Sequence, residues 1–169
     1  MVASPRGDLV AVVWLEQHAG GFELVAVRAD GDRQVPGAGY HVEPNGIGTP
    51  VFSPDGRYLV LGCGRDAWWN EGDEYGDPDP EQPSPGGRFR LGHVLVRDLD
   101  AGVQRELPVE VDLPAGWLPP DPHDREVTED LPIGDAVFEG DRAFVVELLT
   151  GERRRFAIDA RPRLQVTER

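Results

Sequence analysis

Residues 53–60 read Ser53-Pro54-Asp55-Gly56-Arg57-Tyr58-Leu59-Val60. The first four write a tight turn. Pro fixes φ at the second position, Asp hydrogen-bonds to nearby backbone, and Gly accepts positive φ. An apolar run (YLVL, 58–61) follows at once and favours a strand. The same text stands 49 residues earlier, where Ser4, Pro5 and Gly7 superpose on Ser53, Pro54 and Gly56 and lead into residues 9–15 (LVAVVWL). A third copy, Val137-Phe138-Glu139-Gly140-Asp141-Arg142, matches residues 51–57 with one residue deleted and leads into 143–149. Repetition on this scale marks a fold made by stacking one supersecondary unit on itself.

Each unit continues with a second strand: 22–28 after a Gly20-Gly21 turn, 93–99, and 152–158 after Thr150-Gly151. Short outer strands are expected near 33–36 and 104–111. Residues 9–15 are apolar at successive positions, which predicts a strand buried on both faces. Only Met1-Val2-Ala3 precede the first turn, too short for a full first strand. No segment carries a capped 3.6-residue period, so helices are not expected.

Together these residues resemble known repeats. Residues 53–60 look like the signature of TolB-type β-propellers. His93-Val94-Leu95-Val96-Arg97-Asp98-Leu99-Asp100-Ala101-Gly102 resembles the third strand and hairpin of a WD-repeat blade, with Arg97 where that family usually carries Trp. The resemblance implies an all-β fold of antiparallel, propeller-like blades: units at about 2–48, 49–111 and 133–169, an acidic insertion at 63–88 and a Pro-rich connector at 112–132. Closed propellers typically need 4–8 blades, and about three are supplied here. The chain would then be part of a longer propeller, combine blades with other copies, or stand as an open arc covered by its connectors. Uncovered blade faces mark interaction surfaces, so self-association or a protein partner is the favoured expectation. The tail 164–166 is a candidate strand for another blade.

Composition removes other classes. The chain has 169 residues, 31 acidic against 17 basic, and a formal charge of −14; every basic residue is Arg. Such a chain is a poor general nucleic-acid binder. It has no apolar run of about 18 residues to span a membrane. Its start, MVASPRGDLV, lacks the marks of a secretory signal, which points to the cytoplasm. The lone Cys63 excludes an internal disulfide and a multi-cysteine zinc site, and it directly follows an apolar strand, where an inert buried thiol is expected.

The segment 63–88 holds seven acidic residues with Trp68, Trp69 and Tyr75. A loop this long is usually functional or disordered, and disordered segments are poor in aromatics. Trp68 and Trp69 either anchor the loop on a sheet edge or, with Tyr75, bind a partner. Asp73, Asp77 and Asp79, with Asn70, offer oxygen ligands to a hard cation, without EF-hand spacing. In the connector, Trp117 and Leu118 are expected to pack across a blade face, and Trp117 is a further partner-binding candidate.

Catalytic motifs are missing: there is no Gly-x-Ser-x-Gly elbow, phosphate loop or His-Glu-x-x-His. His18, His41, His93 and His123 have no ligand spacing. The expectation is a non-catalytic interaction scaffold without cofactor. The alternatives are an accessory propeller domain of a larger hydrolase or peptidase, and a divalent-cation-binding β protein.

Overall fold

The computed structural model describes residues 1–16, 19–27, 31, 33–35, 40–42, 47–63, 83–118, 133–159 and 163–169. Among these the regular structure is all β. The first sheet comprises β1 (Val2–Ala3), β2 (Leu9–Glu16), β3 (Ala19–Ala26), β4 (Arg33–Gln34) and β5 (Tyr40–Val42). Its order is β1-β2-β3-β4, and β5 shares with β4 the outer edge of β3. The second sheet is β6 (Val51–Phe52), β7 (Tyr58–Cys63), β8 (Gly87–Asp98) and β9 (Val103–Leu113). The third is β10 (Val137–Phe138), β11 (Ala143–Glu147), β12 (Arg153–Asp159) and β13 (Gln165–Glu168). Every pairing is antiparallel, each strand except β5 pairs with its sequence neighbour within its sheet, and among the described residues no sheet closes on itself.

The repeated text folds into repeated bonds. Ser4 N–H donates to Leu9 O at 2.8 Å and Gly7 N–H to Ser4 O at 2.9 Å; Ser53 N–H donates to Tyr58 O and Gly56 N–H to Ser53 O, both at 2.8 Å. Gly7 and Gly56 sit at φ 71° and 69°, which a side chain disfavours. In the third copy Glu139 N–H donates to Ala143 O at 2.8 Å. That closure spans one residue less, as the deletion in the text requires. The repeat also starts earlier than the turn. Ile47-Gly48 and Ile133-Gly134 each precede a Val-Phe strand; Ile47 bridges Cys63 and Ile133 bridges Leu148.

The second sheet is the middle layer. Alternation along β7 and β8 sends Tyr58, Val60, Val94 and Val96 into a core shared with Phe144, Val146, Phe156 and Ile158 of the third sheet. Leu59, Leu61, Cys63 and Leu95 point the other way, into a core shared with Ala11 and Leu24 of the first. All of β7, and β8 from Leu91 to Asp98, is therefore buried. In the third sheet, Phe138, Phe144 and Phe156 occupy facing positions on three strands, with ring centroids 5.8 and 5.1 Å apart in sequence. A bulge in β8 keeps its outer half in phase. The register slips between Arg90 and Gly92, so odd-numbered Phe89 and Leu91 and even-numbered Val94 and Val96 meet the same core.

Several expectations are corrected. Val2 and Ala3 do form a strand, and the first strand of all three sheets has two residues. Gly20 and Gly21 lie inside β3, opposite Leu15 and Trp14, and make no turn. Residues 9–15 are not buried on both faces: Ala11 is fully buried, whereas Val10, Val12 and Trp14 are half-buried. The tail strand β13 stays in its own sheet, beside β12. Cys63 closes β7, Gly87 and Arg88 open β8, and Asp112 and Leu113 end β9. Among the described residues no helix is long and apolar enough to cross a membrane.

Candidate functional site

The hairpin linking β8 to β9 is organised by one buried carboxylate. Asp98 Oδ1 accepts from the amides of Asp100 and Ala101, both at 3.1 Å. The Arg57 guanidinium binds the same carboxylate with Nε (3.3 Å) and a terminal nitrogen (2.8 Å) and lies 5.1 Å from the Tyr58 ring centroid. Two-pronged contact of this kind fixes orientation as well as charge.

Beside this turn, a cleft of about 440 Å³ opens between the second and third sheets. Arg57 and Asp98 form one wall, Gln104 and Arg105 of β9 another, and Arg163 with Leu164, just before β13, the third. Arg105 Nε donates to Leu164 O at 3.3 Å, which ties the two sheets together at the cleft. Gln104 Oε1 accepts from Arg97 at 3.3 Å. Three arginines and a single carboxylate thus line the cleft, in a chain of charge −14. Among the described residues, Arg105 and Arg163 take part in no ion pair, whereas Arg57 already holds Asp98.

A line of charge connects the cleft to the first sheet. Arg6 donates to Asp100 Oδ1 at 2.6 Å and, through Nε, to the Asp55 carbonyl at 2.8 Å. Asp100 in turn lies 3.8 Å from Arg57 Nε. The Arg6 hydrogen bond holds the Asp100 carboxyl below its ordinary range. Burial pushes Asp55 up, but the Ser53 hydroxyl and the Arg57 amide, with both arginines nearby, bring it below its ordinary value.

The outward faces of the two flanking sheets differ in chemistry. On the first sheet, Val10, Val12, Trp14, Glu23 and Val25 alternate with the inward Ala11 and Leu24, so that face is mainly apolar. On the third, exposed Glu139, Glu147, Arg153 and Arg155 surround Val137 and Val145, and Arg155 pairs with Glu139 at 2.8 Å.

Trp117 is half-buried and packs against the core between the second and third sheets; its carbonyl accepts from Ser84 N–H at 2.8 Å. Leu118 beside it is 49% exposed. Trp68, Trp69, Tyr75 and the cation candidates Asn70, Asp73, Asp77 and Asp79 lie outside the described residues. Among those described, no three His, Cys, Asp or Glu side chains gather to hold a metal ion. The cleft arginines were not singled out by sequence reading. Arg57 and the Asp98 hairpin stand in the repeat signatures, but nothing local brings Arg105 and Arg163 to them. The chain matches no protein-family model and no curated protein.

Proposed function

We propose that this chain is a non-catalytic interaction scaffold of propeller-like blades that pairs with a second copy of itself through the outward face of its first sheet. The observation that carries this reading is β2. Its sequence, LVAVVWLE, has the composition of a strand covered on both sides, yet among its described side chains only Ala11 is deeply buried, and Val10, Val12 and Trp14 on the outward face are half-buried. The middle sheet supplies the standard: with a neighbour on each side, its β7 is buried throughout. Val10, Val12, Trp14 and Val25 form the kind of apolar surface that marks an interaction site.

The charged outward face of the third sheet is a poor complement to that surface. A symmetric pairing of two first sheets places the same apolar patch on both sides of a closed interface, the commonest arrangement of homodimers. The Ser-Pro-x-Gly turns, the consecutive antiparallel strands and the stacking of three sheets support the blade reading.

Light scattering coupled to size exclusion tests it. The expected mass is twice the 18.6 kDa of the chain, and Val12→Glu returns it to one chain with unchanged circular dichroism. A wild-type mass of one chain across a wide concentration range overturns the pairing.

A further inference from the structure

We propose that the cleft between β9 and the start of β13 binds a small organic dianion, a dicarboxylate or a phosphomonoester. The inference goes beyond the scaffold reading and stands whether or not the chain pairs with itself. Charge carries it first. Arg57, Arg105 and Arg163 line the cleft against a single carboxylate, Asp98. That carboxylate is already saturated by Arg57 and two turn amides. The nearby Asp100 is engaged by Arg6. Two guanidiniums are left facing the cleft without a carboxylate among the described residues. In a chain with this surplus of acid, placing them together where no acidic side chain among the described residues answers them is the feature a ligand explains.

Size and shape set the class. A volume of about 440 Å³ lies in the range of small-molecule sites, which run from about 300 to 1,000 Å³. It is larger than one inorganic anion requires. Ala101, Val103 and Leu164 give the walls an apolar part, suited to a carbon skeleton between or behind the anionic groups. Guanidinium forks match the planar oxygens of carboxylate and phosphate alike, so the shared chemistry is a pair of negative charges on oxygen. Gln104 lines the same cleft, with its carbonyl oxygen already accepting from Arg97.

Calorimetric titration of the full chain with succinate, phenyl phosphate and inorganic phosphate tests the inference. One-site binding of succinate or phenyl phosphate, tighter than inorganic phosphate, is expected, and the better of the two identifies the ligand chemistry. Arg105→Gln combined with Arg163→Gln should weaken that binding about tenfold or more, the scale of losing charge-assisted hydrogen bonds. Arg88→Gln, which removes an exposed arginine paired with Glu110 at 2.6 Å on β9, should leave it unchanged. Because Arg105 also bonds the Leu164 carbonyl, the Arg163→Gln single variant decides the matter if the double variant melts early. No binding of either organic probe at millimolar concentration overturns the proposal. So does binding that Arg163→Gln leaves intact, or binding no tighter than that of inorganic phosphate.

Discussion

Arg6 and Asp55 hold the same position in two copies of one turn, and Arg6 Nε donates to the Asp55 carbonyl at 2.8 Å. The copies therefore stack turn upon turn. Gly56 makes the approach possible: a Cβ there would lie 2.7 Å from Arg6 Cγ. The lead-in segments meet in the same way, since Thr49 N–H donates to Asp135 Oδ1 at 2.9 Å and both residues directly follow an Ile-Gly pair. Repetition in the text has become contact between equivalent positions.

This staple makes acid stability depend on Arg6. The carboxyls of Asp55 and Asp100 are depressed in the folded chain. A depressed carboxyl contributes stability that is present above its unfolded value, about 3.9, and is lost as pH falls through the lower folded value. The melting temperature should therefore drop between pH 5 and pH 2. Arg6→Gln should melt lower at pH 7 and lose less on acidification. Calorimetry across that range checks both, and an unaltered acid slope in the variant refutes the role given to Arg6.

Gly62 on β7 faces Ile133 so closely that a Cβ would meet its Cγ2 and its carbonyl oxygen, each at 2.9 Å. Gly62→Ala should cost about 1–3 kcal/mol, the usual toll of overpacking. Adding Ile133→Val should recover only part of it, because the backbone oxygen remains. Urea denaturation of the three variants measures the recovery.

Tyr58 is fully buried, and among the described residues its hydroxyl has no hydrogen-bond partner. A buried polar group left unsatisfied costs about 1–3 kcal/mol. Tyr58→Phe keeps the ring beneath Arg57 and should stabilise the chain by about 1 kcal/mol, read as a higher urea midpoint at unchanged slope.

Cys63 is 1% exposed. Burial, with a smaller push from Glu106, raises its thiol to about 12. The nucleophile is the thiolate, so alkylation at pH 8 should be negligible in the folded chain and rapid in guanidinium. Fast labelling under native conditions would contradict the packing of β7 against the first sheet.

The turns were legible because their signals are local: Ser-Pro-x-Gly specifies its own backbone, and the deleted residue in the third copy reappears as a shorter closure. The strands after them were legible from β-branched runs. Gly20-Gly21 misled, because two glycines favour a turn by themselves while pairing with Leu15 and Trp14 draws them into β3. The double burial expected for residues 9–15 followed from composition alone, and composition cannot say whether a second sheet arrives. The Leu91 bulge escaped because the strand was expected only over 93–99, so the slip beside Gly92 fell outside it. The cleft escaped for a related reason. Its three arginines come from a turn, an edge strand and a lead-in more than forty residues apart, and only the stacking of the second sheet on the third brings them to one place.

The middle position of the second sheet has a kinetic consequence. Its β7 and residues 91–98 of β8 have no solvent-facing side, so their amides exchange with solvent only when a flanking sheet detaches or the whole chain unfolds. The slowest hydrogen exchange should therefore fall on β7 and on residues 91–98, with the terminal sheets exchanging sooner. Slow exchange in the middle of the sequence, bracketed by faster ends, would be the time-domain image of this three-layer stack.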